Sequence, residues 1–186
     1  MSEAGSKAPG AMAAIIGLPP QEIEALCNEA ASAGPVQAAN FNSNEQTVIS
    51  GSKEGVAKAS EIAKAKGAKR VMELPVSGAF HSPLMQPAAA ALRPLLEAAP
   101  FADAKAPLVS NVDATPRTSG AEIRRTLARQ IVSPVQWEAS VRRMLAEGVD
   151  RFIEVGPGKV LAGLIRRVRP EARVDGAGTL EQIGSL

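Results

Sequence analysis

The sequence is poor in residue types on which several classes of function depend. Among its 186 residues there are one cysteine, one histidine and no tyrosine. A single cysteine excludes an internal disulfide, and together with a single histidine it cannot supply the ligands of an ordinary Cys/His zinc site. Aromatic residues make up 3% of the chain, which leaves few rings on which single-stranded nucleic acids could stack. We therefore expect neither a metal site nor a nucleic-acid partner.

The signatures of membrane and exported proteins are also missing. No apolar run approaches the roughly 18 residues that a membrane-spanning helix needs. The first ten residues, MSEAGSKAPG, lack the basic and then apolar order of a signal peptide. Hydrophobic residues make up 45% and charged residues 22%, with a net charge of +2, values typical of a folded, water-soluble protein. The expected location is the cytoplasm, with no membrane partner.

The first part of the chain alternates strand and helix patterns in the order β-α-β-β-α-β. Apolar and β-branched runs predict strands at 12–16, 36–41, 46–50 and 71–76, with a turn at 42–44, and helical spacing of apolar residues predicts helices at 20–32 and 52–66. Ser52 is the expected N-cap of the second helix, and Cys27, on the apolar face of the first, is an expected core residue. This element order over residues 11–75 is that of the ferredoxin-like fold. Residues 1–10 are expected to form a flexible N-terminal segment.

The second part, residues 76–186, has a different pattern, in which helices alternate with short apolar strands. Helices are predicted at 83–99, 121–132, 135–147 and 159–168, and strands at 108–112, 152–155 and 174–176. Breaks in the first of these helices are expected at Pro87 and Pro94. Such alternation favours a parallel α/β architecture. Three short strands make a poor sheet centre, because parallel strands need neighbours and cover on both faces, so part of this unit is expected to be missing.

The single histidine, His81, follows a predicted strand and a glycine-containing turn, immediately before the helix start at Ser82-Pro83. Reactive groups are often displayed where strands of α/β sheets end, and an imidazole with an ordinary pKa of about 6.5 suits proton transfer near neutral pH. The alternative is a half-buried histidine that hydrogen-bonds to backbone without a catalytic role. Residue type alone favours the alternative.

Five strings resemble, in order, motifs of malonyl-CoA:acyl-carrier-protein transacylases. They are GAMAAIIGL (10–18), ANFNSNEQTVISG (39–51), PVSGAFHSPLM (75–85), SPVQW (133–137) and EVGPGKVLAGLI (154–165). The resemblance spans nearly the whole chain. It implies an α/β fold with an α+β insertion: a ferredoxin-like subdomain at 11–75, followed at 76–186 by the C-terminal portion of an α/β-hydrolase-like acyltransferase core.

The resemblance implies a ping-pong transfer of malonyl from malonyl-CoA, through a serine ester, to the phosphopantetheine thiol of acyl carrier protein. His81 would be the base, oriented by the backbone carbonyl of Gln130, and no cofactor is implied. Four residues would bind substrate: Asn40, Asn42, Gly78 and Phe80. Asn40 and Asn42 are equally well interpreted as turn residues. Phe80 would crowd the substrate α-carbon and favour malonyl over methylmalonyl, unless it only packs.

The serine itself is absent, because no G-H-S-x-G string occurs in the chain. In Gly51-Ser52-Lys53-Glu54-Gly55 the serine stands one place too early for such an elbow. The resemblance therefore implies that the nucleophile lies in a missing N-terminal segment and that the isolated chain is inactive. The alternative function is a non-catalytic module that binds carrier protein, or a fragment that a separate N-terminal partner completes.

Two other interpretations are weaker. Gly156-Pro157-Gly158-Lys159 precedes a helix, but it lacks the glycine spacing and the following Ser or Thr of a phosphate-binding loop, so we interpret it as a tight turn. The order β-α-β-β-α-β also occurs in RNA recognition motifs, which need aromatic residues on their central strands. Residues 11–75 contain only Phe41, which argues against RNA binding.

Overall fold

The structure is a computed structural model that describes residues 9–76 and 78–186. Its first part contains β1 (Ala11–Ile16), α1 (Pro20–Ala30), β2 (Val36–Ser43), β3 (Gln46–Gly51), α2 (Lys53–Ala65) and β4 (Arg70–Glu73). Its second part contains a 3₁₀ turn (Pro83–Met85), α3 (Gln86–Ala98), β5 (Leu108–Val109), β6 (Pro116–Arg117), α4 (Gly120–Gln130), α5 (Trp137–Ala146), β7 (Arg151–Val155), α6 (Val160–Val168), β8 (Arg173–Ala177) and α7 (Leu180–Gly184).

The first four strands form one antiparallel sheet in the order β2-β3-β1-β4. Each βαβ unit is thus split by a strand inserted between its two ends, which is the ferredoxin-like arrangement predicted from the sequence. The flexible segment predicted for residues 1–10 lies outside the described residues except for Pro9 and Gly10. The proposed division of the chain at residues 75 and 76 stays a prediction.

Both faces of β1 are buried. Ala11, Ala13 and Ile15 point to one side, where they pack with residues of α1 and α2 in the larger core cluster. Met12 and Ala14 point to the other side and pack with Ala39, Val48 and, from the loop after β4, Leu74 and Phe80. The sheet therefore carries the histidine-containing loop on the face opposite its two helices.

The helix signals in this first part are local and act as predicted. The Ser52 hydroxyl accepts a hydrogen bond from the Gly55 amide at 3.0 Å and so caps α2. Gly67, with φ of +87°, follows the end of α2 in the left-handed conformation. In α1 the buried residues are Ile23, Leu26, Cys27 and Ala30, one apolar stripe at helical spacing.

Several predictions for the second part are wrong in detail. Pro87 lies in the first turn of α3, where its missing N–H has no cost, and the helix continues through the exposed Pro94 with the loss of one hydrogen bond. Among the eight strands of the described residues, only β7 and β8 pair with each other in parallel. β5 pairs antiparallel with β6, a strand that sequence reasoning missed. In the first part, one prediction is also wrong in detail, because the turn between β2 and β3 is at Asn44–Glu45 rather than 42–44.

The two parts of the chain meet at an extended segment, residues 133–136. The Val135 amide donates to the Ala39 carbonyl at 2.8 Å, and the Phe41 amide donates to the Val135 carbonyl at 2.9 Å. This pairing adds the segment to the outer side of β2, which explains why α5 begins at Trp137 and not at the predicted residue 135. None of the helices in the described ranges combines the length and apolar character that crossing a bilayer requires.

Candidate active site around His81

His81 lies between β4 and the 3₁₀ turn in a backbone conformation that few residues adopt. Its φ is +58°, the left-handed region, which costs a residue with a side chain roughly 1–2 kcal/mol relative to ordinary conformations. The next residue, Ser82, is buried, and its hydroxyl donates to the Ala79 carbonyl at 2.6 Å. Strain of this kind persists only where neighbouring contacts hold the residue in place.

The imidazole of His81 is held at one nitrogen. Nδ1 lies 3.0 Å from the carbonyl oxygen of Gln130, and since a carbonyl oxygen can only accept, Nδ1 carries the hydrogen and donates it. In the neutral ring Nε2 then has the free lone pair. Within residues 9–76 and 78–186, Nε2 has no hydrogen-bond partner, and the ring is half-buried. A neutral imidazole with one nitrogen fixed and the other available has the arrangement of a general base.

The position of Gln130 explains why its carbonyl is available. Gln130 is the last residue of α4, and the carbonyls of a final helical turn have no intrahelical partner. The His81 ring takes up one of them. The Gln130 side chain has a separate contact, since its Nε2 lies 3.4 Å from the Ser133 carbonyl at the start of the extended segment.

A second residue holds His81, and sequence reasoning missed it. Gln37, on β2, donates from its side-chain Nε2 to the His81 carbonyl oxygen at 2.9 Å. The backbone of His81 is therefore tied to the ferredoxin-like sheet, while its ring is tied to the end of α4. Nothing in the local sequence distinguishes Gln37 from an ordinary strand residue.

The four predicted substrate-binding residues differ from one another in their surroundings. Phe80 is half-buried beside the smaller core cluster, and Gly78 is buried and bridges to Pro9. Asn40 and Asn42 lie in β2 and not in the hairpin turn, so their interpretation as turn residues is wrong. Among the described residues no hydrogen bond joins either asparagine to His81. Register irregularities in β2 fall beside both, and such bulges redirect side chains near functional sites.

Cys27 lacks the properties of a nucleophile. Burial raises the pKa of its thiol to about 12, and the carboxylate of Glu24 adds to the rise. The reactive thiolate is therefore almost absent at neutral pH. Across the described ranges no cluster of three or more histidine, cysteine, aspartate or glutamate residues could hold a metal ion.

The glycine-rich turn before α6 places a carboxylate of this chain at the N-terminus of that helix. Gly156 and Gly158 have φ of +120° and +100°. The chain doubles back, so that the carboxylate of Glu154 accepts from the amides of Leu161 and Ala162 at 3.0 and 2.9 Å. These amides are the donors that a phosphate would use at a helix N-terminus. The turn is therefore a self-capped structural element.

The comparisons with known proteins agree with one another. The acyl transferase domain family matches residues 2–184. The chain is 47% identical over 169 residues to the malonyl CoA-acyl carrier protein transacylase of Bacillus subtilis, covering 90% of this chain and 53% of that protein. It is 49% identical over 168 residues to the transacylase of Escherichia coli K12, covering 90% and 54%. The chain thus spans about half the length of these curated relatives.

Solved structures give the same result. The malonyl CoA-acyl carrier protein transacylase from Coxiella burnetii superposes with a TM-score of 0.94 at 39% identity, covering 98% of this chain and 59% of that one. A malonyl-transacylase solved in complex with a type II PKS acyl-carrier protein superposes with a TM-score of 0.92 at 38% identity, covering 99% and 61%. The mixed α/β fold is shared with these proteins over nearly all of the chain.

Proposed function

Because this chain belongs to the acyl transferase domain family, we propose that it supplies the histidine base of a malonyl-CoA:acyl-carrier-protein transacylase. The observation that carries the proposal is the state of His81, whose Nδ1 is engaged by the Gln130 carbonyl at 3.0 Å. An identity of 47–49% to curated transacylases supports the choice of substrates.

The proposed reaction has two half-reactions that share one base. Nε2 of His81 takes the proton of a serine hydroxyl as its oxygen attacks the malonyl thioester, and then gives that proton to the departing CoA sulfur. The malonyl group is now a serine ester. In the second half-reaction Nε2 takes the proton of the carrier-protein thiol, whose sulfur attacks the ester, and returns it to the serine oxygen. The Gln130 carbonyl keeps the hydrogen on Nδ1 throughout, so that Nε2 is always the working atom.

Phe80 is the proposed wall of the malonyl site, with Gly78, Asn40 and Asn42 around the substrate. Phe80 stands next to the base in sequence and is half-buried. A hydrophobic wall discriminates against one added methyl group by roughly 1–3 kcal/mol. We therefore propose a preference for malonyl over methylmalonyl. No separate cofactor is needed in this scheme, because the acyl group passes from thioester to ester to thioester.

The nucleophilic serine is proposed to come from polypeptide outside these 186 residues, because they contain no G-H-S-x-G string. Apolar side chains around the two-stranded β7–β8 sheet support this, since they include Ile153, Val155 and Leu180 with exposures of 45%, 82% and 89%. An isolated two-stranded sheet with exposed apolar residues needs a covering partner. Without the serine there is no acyl-enzyme, so the isolated chain is proposed to be inactive.

Complementation tests the proposal. The chain is mixed with an N-terminal transacylase segment that carries a G-H-S-x-G string, and malonyl transfer to holo acyl carrier protein is followed by mass spectrometry. We expect no transfer from either part alone, transfer from the mixture, and a loss of at least ~10³-fold with His81→Ala. Gln21→Ala, at an exposed position on α1, is the matched control and should keep full activity.

Three outcomes would contradict the proposal. A malonyl ester on the isolated chain would show that it contains its own nucleophile. Activity that survives His81→Ala would remove the base. A stable complex of the two parts that binds carrier protein but transfers nothing would favour the alternative of a carrier-protein-binding module, which the solved complex of a similar transacylase with an acyl-carrier protein makes the second candidate.

A further inference from the structure

We propose that Gln37 is a positioning residue that holds His81 in the state required of a base. The inference rests on the proposed function, because it concerns the same histidine. Gln37 would act through the His81 backbone and would not touch substrate. Its side-chain amide donates to the His81 carbonyl at 2.9 Å, across 44 positions of sequence.

The hydrogen bond from Gln37 acts on a residue whose backbone conformation is unfavourable without neighbouring contacts. A φ of +58° is uncommon for a residue other than glycine. If the backbone returned to an ordinary conformation, the side chain would leave Cα in another direction, and Nδ1 could not stay 3.0 Å from the Gln130 carbonyl. The bond from Gln37 fixes the orientation of the carbonyl of this residue. The Gln130 bond fixes the ring, so one contact restrains the backbone of His81 and the other restrains its side-chain torsions.

Both contacts are anchored to one strand. Gln37 lies on β2, paired with Ser50 of β3. Gln130 is followed five residues later by Val135, whose amide donates to Ala39 of the same strand at 2.8 Å. Hydrogen bonds thus run from β2 to His81, from His81 to Gln130, and back through Val135 to β2. Both groups that hold His81 are therefore tied to β2, at positions that are two residues apart.

The single histidine makes the inference measurable without any catalytic assay. In the full chain labelled with ¹⁵N-histidine, every imidazole signal belongs to His81. Long-range ¹H–¹⁵N spectra of the neutral ring give the ratio of the Nδ1–H to the Nε2–H tautomer. We expect the Nδ1–H tautomer to dominate in the unmodified chain, because Nδ1 must donate to Gln130.

Four variants separate positioning from a general structural role. Gln37→Met keeps the length of the side chain without the donor and should lower the tautomer ratio by roughly fivefold. Gln37→Glu is the substitute if the methionine variant does not fold. Its ionised carboxylate is hydrated and cannot donate, so it should lower the tautomer ratio by a similar factor. Gln37→Lys restores an N–H donor of similar reach and should return the ratio to within about twofold of the original. Gln21→Met, exposed on α1, should change nothing.

A ratio unchanged in both Gln37→Met and Gln37→Glu would overturn the inference, as would a lysine variant no better than methionine. The complemented enzyme gives an independent readout, in which Gln37→Met should lower kcat with little change in KM. Failure of the proposed function is distinguishable, because a mixture without activity leaves the tautomer measurement intact. A tautomer ratio that does not change with substitution of Gln37, together with an active mixture, would refute the positioning role alone.

Discussion

Removal of the Glu154 carboxylate should loosen the start of α6. This carboxylate accepts two amide hydrogens, from Leu161 and Ala162, at 3.0 and 2.9 Å. Loss of a capping acceptor typically costs ~1 kcal/mol, and loss of a negative charge at a helix N-terminus costs a further ~0.5 kcal/mol. We therefore expect Glu154→Ala to destabilise the first turn by about 1.5 kcal/mol, which corresponds to a fall of about tenfold in amide protection.

Hydrogen exchange measured by NMR at the Leu161 and Ala162 amides tests this value. Glu154→Gln keeps an acceptor without the charge, so it should show about half of the destabilisation that is expected for Glu154→Ala. The control is Glu147→Ala, which removes an exposed carboxylate that pairs with Arg143 at 2.6 Å and should leave both amides unchanged. Addition of inorganic phosphate should partly restore protection in Glu154→Ala, because the amides are then free to bind an anion.

Two results would refute the reasoning. Protection within twofold of the original in Glu154→Ala would show that the carboxylate is not the cap. Phosphate that raises protection equally in the unmodified chain would show that an external anion displaces Glu154, and the glycine-rich turn would then be a ligand site after all.

Two further predictions concern Cys27 and two glycines. Because burial raises the pKa of Cys27 to about 12, on the order of one thiol in ten thousand is ionised at pH 8, so a disulfide reagent should modify it only after denaturation; rapid stoichiometric reaction of the folded chain would contradict this. A Cβ at Gly51 would lie 2.1 Å from the Pro35 carbonyl, whereas one at Gly163 would meet nothing within 4 Å. Urea unfolding should therefore show Gly51→Ala destabilised by ~2 kcal/mol and Gly163→Ala stabilised by up to ~1 kcal/mol, and the reverse order would contradict the packing at β3.

The elements that sequence reasoning predicted well are those whose signals are local. The Ser52 cap acts on Gly55, three residues away, and the apolar stripe of α1 recurs at helical spacing. The resemblance to transacylases was confirmed at the family level because its motifs are contiguous strings. His81 and Gln130 were brought together in the structure as that resemblance implied, although their catalytic roles stay predictions.

What sequence reasoning missed depends on partners far along the chain. Gln37 reaches a carbonyl 44 positions away. The sequence predicts a helix that begins at Val135, but the pairing of this residue with β2 outweighs the local preference. The same holds for β6, since a two-residue strand has no periodicity by which it could be recognised.

The contact between Val135 and β2 also affects how this protein can meet other copies of itself. β2 is an outer strand of the four-stranded sheet, and outer strands invite foreign chains to extend a sheet and start aggregates. Val135 hydrogen-bonds to the outward-facing carbonyl of Ala39 and amide of Phe41, which blocks extension of the sheet on that side. The strand at the opposite edge is the short β4, where the exposed charges of Arg70 and Glu73 oppose pairing with a strand of another chain. The sheet is therefore protected at both borders, by covalently attached chain on one and by charge on the other.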